Sequence, residues 1–422
     1  MASEQNQFLE IAYRIGIKLC RDAIWSGNKC NWVGPSMEYL DNTWKTVHRA
    51  YGTDLYSGTS GIGYFLSYLY SQTGDKIIKK TALGCFEQTV NNIHQTPPGA
   101  RIGFYTGWSG IVRALQNCGP LLNTDAFDKN VASMLSSLNK CDLRESGIDI
   151  LAGSAGAIPV LIAQSANNDD EYIGTAKKIA EYLIQKAHKT ENGWSWNTLD
   201  QHSTDASHNL TGFSHGTAGI AWAFIELYNV TKEEKYHHAA QKAFDYERVW
   251  FNSRYGNWPD LRNNNGNSNK TTASMYGSIA WCHGAPGIGL SRIRTYDLLA
   301  DETCQKEAEV AINTTYNMIN QSLQSGQANF SLCHGIGGNV ELLIMAGTSL
   351  KNNELINYGQ QAGIAGINLY SNNSFSWPCG IMGAGEVPGL MLGIAGIGFF
   401  YLRLFDSLHI PSILIPIPHL LS

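Results

Sequence analysis

The chain has 422 residues, 43% of them hydrophobic and 15% charged, with 35 acidic side chains against 30 basic ones for a net charge of −5. That balance, with no long lysine or arginine run, argues against a nucleic-acid surface, and no apolar stretch approaches the roughly 20 residues of a membrane-spanning helix. The opening "MASEQNQFLEIAYRIG" lacks the basic and apolar blocks of an export signal, and nine cysteines scattered from Cys20 to Cys379 do not form a secreted disulfide framework. Reduced thiols in the cytoplasm are expected.

Along the chain a Gly-x-x-Gly turn recurs seven times: "SGTSGIG" at Gly58, "YTGWSGI" at Gly107, "LAGSAGA" at Gly153, "FSHGTAGI" at Gly216, "WCHGAPGI" at Gly284, "LCHGIGGN" at Gly335 and "MLGIAGIG" at Gly393. A nearly all-apolar segment follows each, such as "YFLSYLY" from Tyr64 and "IAWAFIELY" from Ile220, and a helix apolar all round is buried all round. Between them lie amphipathic stretches such as "AKKIAEYLIQKAHK", with Ile179, Ala180, Leu183, Ile184 and Ala187 on one face. The likeliest extended pieces are "NGWSWNT" near Trp194 and "GNWPD" near Trp258. The tail "HIPSILIPIPHLLS", broken by Pro411, Pro416 and Pro418, is expected to strap onto the body.

Seven units of amphipathic helix, glycine turn and buried helix predict an all-α fold, a double-layered toroid of seven inner and seven outer helices, as a single domain over residues 1–422. Closure would bring all seven turns to one rim; an open solenoid would string them along an edge. Most of the glycines need only mean close helix packing.

Two turns carry a cysteine and three carry a histidine just ahead of the first glycine: Cys282 with His283, Cys333 with His334, and His215 alone. Thiols and imidazoles gathered on one rim point first to zinc. Cys282, Cys333 and His334 are the expected ligands, and three protein ligands with a fourth position open is the pattern of a catalytic rather than a structural site. A thiolate-ligated zinc is suited to holding another thiol as thiolate, which implies thiol addition or alkylation. The bland alternative makes each cysteine a small buried hydrophobe and each histidine a turn residue. His215, without a cysteine neighbour, reads as a proton-transfer group, and Asp149 in "GIDILAGSAG" as its partner or as a turn cap.

At these residues the sequence resembles the lanthionine synthetase C-like family, in "FSHGTAGI", "WCHGAPGIG" and "LCHGIGGN" and in seven glycine turns spanning residues 55–404. The resemblance implies an α,α-toroid with one zinc on Cys282, Cys333 and His334, His215 as general acid or base, and Asp149 assisting. It implies a thioether-forming cyclase that adds peptide cysteines to dehydroalanine or dehydrobutyrine of a dehydrated precursor peptide, with a separate dehydratase as a further partner. Ser278 stands where nisin-type cyclases resemble one another in having arginine, and His283 where they have tyrosine. The "WCHG" form is more similar to bifunctional class II synthetases and eukaryotic relatives, so a glutathione-adding enzyme is a second expectation. A metal-independent (α/α)-barrel glycosidase or epimerase and a metal-bearing scaffold without turnover are the others. Starting at methionine, the sequence reads as a stand-alone cyclase.

Overall fold

A computed structural model describes residues 2–40, 43–165, 170–199, 209–262, 272–326, 328–371, 376–381 and 383–418. The chain opens with α1 (Ala2–Asp22) and two antiparallel hairpins, β1 (Ile24–Ser26) with β2 (Lys29–Asn31) and β3 (Val33–Leu40) with β4 (Thr43–Ala50), paired in register at Trp25 with Cys30 and Ser36 with Val47. Helix pairs then alternate: α2 (Thr59–Thr73) and α3 (Lys76–Asn92), α4 (Trp108–Leu121) and α5 (Asp128–Leu138), α6 (Ile158–Gln164) and α7 (Glu171–Lys186). A third small hairpin, β5 (His188–Thr190) with β6 (Gly193–Ser195), precedes α8 (Thr217–Thr231) and α9 (Glu234–Trp250). After the one-turn α10 (Thr272–Met275) come α11 (Ala285–Leu299), α12 (Glu302–Ser325), α13 (Ile336–Ser349), α14 (Asn353–Gly366) and α15 (Ile394–Phe405).

The seven helices that follow glycine turns form the inner layer: α2, α4, α6, α8, α11, α13 and α15 each pack on the next, and α15 packs back on α2. Each carries an outer partner, α15 taking α1 from the other end of the chain. Burial follows the predicted division: α8 is buried from Thr217 through Leu227, whereas α7 buries only Ile173, Thr175, Ala176, Ile179, Ala180 and Leu183.

The two layers also begin differently. Outer helices α3, α7, α12 and α14 start at Asp75, Asp170, Asp301 and Asn352, whose side chains accept from the free N–H groups of the first turn. Inner ones start at glycine without a side-chain cap, α6 by way of the 3-10 turn Ser154–Ala157 that follows Gly153; in six of the seven turns the first amide after that glycine donates to the carbonyl seven residues earlier, as Thr217 does to Leu210 and Ile336 to Asn329. The second glycine of each turn has a steric reason. A Cβ on Gly287 would lie 2.0 Å from the Trp281 carbonyl oxygen and one on Gly338 1.8 Å from that of Leu332, and the other five face the carbonyl six residues back in the same way.

Closure shows in the backbone itself. The residue two before each first glycine donates its N–H to its counterpart in the next turn: Tyr56 to Tyr105 at 2.8 Å, Tyr105 to Leu151 at 2.9 Å, Leu151 to Ser214 at 3.1 Å, Ser214 to Cys282 at 3.3 Å, Cys282 to Cys333 at 3.3 Å, Cys333 to Met391 at 2.9 Å, and Met391 back to Tyr56 at 2.8 Å. This belt of seven hydrogen bonds excludes the open solenoid and holds every turn on one rim.

One expectation needs correction. The piece near Trp258 makes only an isolated bridge between Asn252 and Asn257, because a tight turn at 253–256 returns the chain at once, while the β1–β4 hairpins carried no strong sequence signal. The tail packs against the body, as expected, and does so from within. From the end of α15 away from the turns it enters the ring, where Ile413, Leu414 and Ile415 are buried, Tyr105 Oη donates to the Ile413 carbonyl at 2.8 Å and Trp281 Nε1 to that of Leu414 at 2.9 Å. Its prolines keep it from pairing as a strand or coiling as a helix, so these backbone groups need side-chain partners inside. Residues 419–422 lie outside the described part.

Candidate metal centre

Cys282 and Cys333 occupy the belt positions of adjacent turns, which is why fifty-one residues of sequence do not separate them in space. With His334 they offer one donor atom each, all within 4.8 Å of one another, the sole such group of three among the described residues. The two cysteines are buried and His334 faces solvent. His334 Nε2 lies 2.9 Å from the Gly380 carbonyl oxygen, and an Nε2–H donated there leaves Nδ1 as the lone-pair nitrogen and fixes the ring. Tyr56 Oη donates to Cys333 Sγ at 3.0 Å. A hydrogen bond from Cys333 favours the thiolate of Cys282 and, with burial, holds the Cys333 thiol well above its ordinary range. Two sulfurs sharing protons beside an oriented imidazole form a soft donor set that fits zinc.

On the other side of Cys282, the next belt position along the rim is Ser214, and the residue after it is His215. Its Nδ1 lies 2.6 Å from Asp149 Oδ2, while Asp149 Oδ1 accepts from the Ala152 amide at 2.7 Å. Burial pulls the His215 pKa down, but the Asp149 hydrogen bond and charge outweigh it, so the imidazole stays protonated above its ordinary value. Asp149 therefore both closes its own turn and grips His215. The aligned Nδ1–H leaves Nε2 as the nitrogen able to meet a substrate.

His283 sits apart from the donor set. Its ring lies 6.1 Å from that of His215 at 26°, is fully buried, and neither nitrogen completes a hydrogen bond among the described residues, although the Thr211 backbone is near. Burial first, then the charge of Arg262, push its pKa down to about 3, so it is neutral. Ser278 gives its carbonyl to Asn257 Nδ2 at 3.0 Å.

Four residues around the site escaped sequence reasoning. Gly380 acts through its carbonyl, which no residue type announces. Arg262 with Asp260 lies outside every glycine turn. Tyr56 did carry a signal: it stands two residues before Gly58, as Cys282 and Cys333 stand before Gly284 and Gly335.

The chain is 26% identical to the lacticin 481/lactococcin biosynthesis protein LcnDR2 of Lactococcus lactis subsp. lactis over 399 residues, which is 90% of this chain but only 38% of that protein's length. Nisin cyclase superposes with a TM-score of 0.61 at 18% identity, covering 86% of this chain and 91% of that one. A family 76 glycoside hydrolase from a bovine Bacteroides thetaiotaomicron strain aligns at a TM-score of 0.47 and 10% identity over 94% of this chain and 77% of that one. The sequence model of the lanthionine synthetase C-like proteins matches residues 49–415, and the chain belongs to that family.

Proposed function

We propose that this chain, as one domain over residues 1–422, is a zinc-dependent lanthipeptide cyclase that adds cysteine thiols of a dehydrated precursor peptide to its dehydroalanine or dehydrobutyrine residues. The observation that carries this reading is the convergence of Cys282, Cys333 and His334 within 4.8 Å on the same rim as the His215–Asp149 pair. Cys282, Cys333 and His334 would hold the metal, which when bound supplies a Lewis acid that keeps an incoming thiol as thiolate near neutral pH.

The remaining work falls to residues of the chain. Attack of sulfur on the β-carbon forms the C–S bond and moves the double-bond electrons toward the carbonyl oxygen. His215, protonated through its contact with Asp149, then delivers a proton to the α-carbon, and the proton given up by the thiol replaces it. Substrate and product have equal mass. The substrate must first be dehydrated at serine or threonine, a step we assign to a dehydratase acting before this domain. All nine cysteines are free, which supports a cytoplasmic setting.

The test is to incubate the protein with a dehydrated cysteine peptide and follow loss of alkylatable thiol at constant mass, alongside metal analysis. Wild-type protein is expected to carry one zinc and Cys333→Ala to lose both zinc and turnover. Full cyclisation by a zinc-free preparation, or by Cys333→Ala, would overturn the reading.

A further inference from the structure

The turn at Gly284 is built unlike the other six. Gly284 has φ +91°, a left-handed backbone, and the first amide of α11 donates not to a carbonyl seven residues back but to the side chain of Asn257, Ala285 N to Oδ1 at 2.8 Å. Asn257 Nδ2 in turn donates to the carbonyls of Tyr276 at 2.7 Å and Ser278 at 3.0 Å. So the segment that begins at Asn257 is a structural part of the Cys282 turn.

That segment runs straight on to an arginine. Trp258 and Leu261 are buried, the Pro259 carbonyl accepts from Thr211 Oγ1 at 2.8 Å, four residues before His215, and the Asp260 amide donates to the Met275 carbonyl at 2.8 Å. Asp260 then accepts from Arg262 three times: the amide at 3.1 Å, Nε at 3.0 Å and Nη2 at 2.7 Å. The guanidinium is thus fixed from one edge between the His215 turn and the Cys282 turn. Its Nη1 has no partner among the described residues, and the side chain is 41% exposed, as a group awaiting a substrate must be. Its charge reaches Tyr56, His215, Cys282, His283, Cys333 and His334, on four different turns.

Resting on the cyclase reading, we propose that Arg262 is a further catalytic residue: its free N–H groups donate to the carbonyl oxygen of the dehydro residue as that oxygen takes up negative charge. When sulfur bonds to the β-carbon, the π pair shifts onto the oxygen as an enolate; when His215 protonates the α-carbon, the C=O bond re-forms and the charge leaves. An interaction strongest at that intermediate lowers the barrier without tightening ground-state binding. Asp260 is a positioning residue, since it keeps the fork aimed.

The experiment compares wild type, Arg262→Gln, Arg262→Lys and Asp260→Asn on a synthetic peptide carrying one cysteine and one dehydroalanine, with zinc stoichiometry measured on each. Arg262→Gln is expected to lower kcat by about 10²–10³-fold, the usual loss on removing one oxyanion donor, with KM little changed and zinc retained. Lysine should restore part of the rate, and Asp260→Asn should lower kcat by less than Arg262→Gln does. A wild-type kcat in Arg262→Gln overturns the proposal for Arg262 alone, and so does a loss of rate that follows a loss of zinc. Wild-type protein that leaves the peptide unreacted overturns the cyclase reading and this inference with it.

Discussion

A carboxylate set 2.6 Å from one imidazole nitrogen decides which nitrogen is free and when it carries a proton. His215 has its pKa raised because the hydrogen bond and charge of Asp149 outweigh the opposing effect of burial. In the proposed role of general acid His215 must be protonated, so kcat is expected to hold at low pH and to fall as pH rises through this raised value. Asp149→Asn removes the charge that favours imidazolium, and the falling limb should move to lower pH with a smaller plateau; a pH–rate profile of the two proteins checks this. If the limb stayed in place, a group other than His215 would be delivering the proton. Zinc analysis of the same variant should read as wild type, because Asp149 is not among the three donor residues.

At the scale of elements, the glycine turn sets how closely an inner helix can approach the chain that leads into it. A methyl on Gly287 would meet a backbone carbonyl at 2.0 Å, and no rotamer change can relieve a clash with main chain. Gly287→Ala is expected to destabilise by about 3 kcal/mol, the upper end for overpacking. Gly174 in α7 is the contrast, a helical glycine with nothing within 4 Å of its Cβ direction. Gly174→Ala should stabilise by about 0.5–1 kcal/mol, since alanine loses less backbone entropy in a helix. Urea denaturation of both variants tests the pair, and equal effects would show that the turn glycines are chosen for something other than close approach.

For the whole molecule, a ring of helices poses a problem of filling, because seven inner helices leave a centre that water or side chains must occupy. Here the protein's own tail enters it. Ile410, Ile413, Leu414 and Ile415 are all within 2% of full burial, and Trp281, neighbour of the Cys282 donor, spends its indole N–H on the tail. Leu414→Ala should therefore destabilise by about 2–5 kcal/mol, as a buried leucine with little room to collapse does, measured as a shift in denaturation midpoint. A change below 1 kcal/mol would mean that the tail only rests in the ring. The belt of seven hydrogen bonds ties this interior to the rim, so loss of the tail is expected to loosen the turns as well.

The sequence by itself determined the repeat and the helical layers, and it singled out Cys282, Cys333 and His334, which the fold brings together. Seven glycine pairs in one frame can be counted, apolar and amphipathic periods differ on inspection, and a cysteine or histidine in a fixed frame stays in that frame wherever the chain runs. Only the tertiary structure decided that the ring closes, that Tyr56 reaches Cys333, that Gly380 orients His334, that Asp260 holds Arg262 at the rim and that the tail goes inside. These depend on contacts between segments up to 335 residues apart, as from Tyr56 to Met391, and on backbone carbonyls, which every residue possesses. Local chemistry is written in side chains; which distant side chains meet is set by how helices pack, and that no single stretch records.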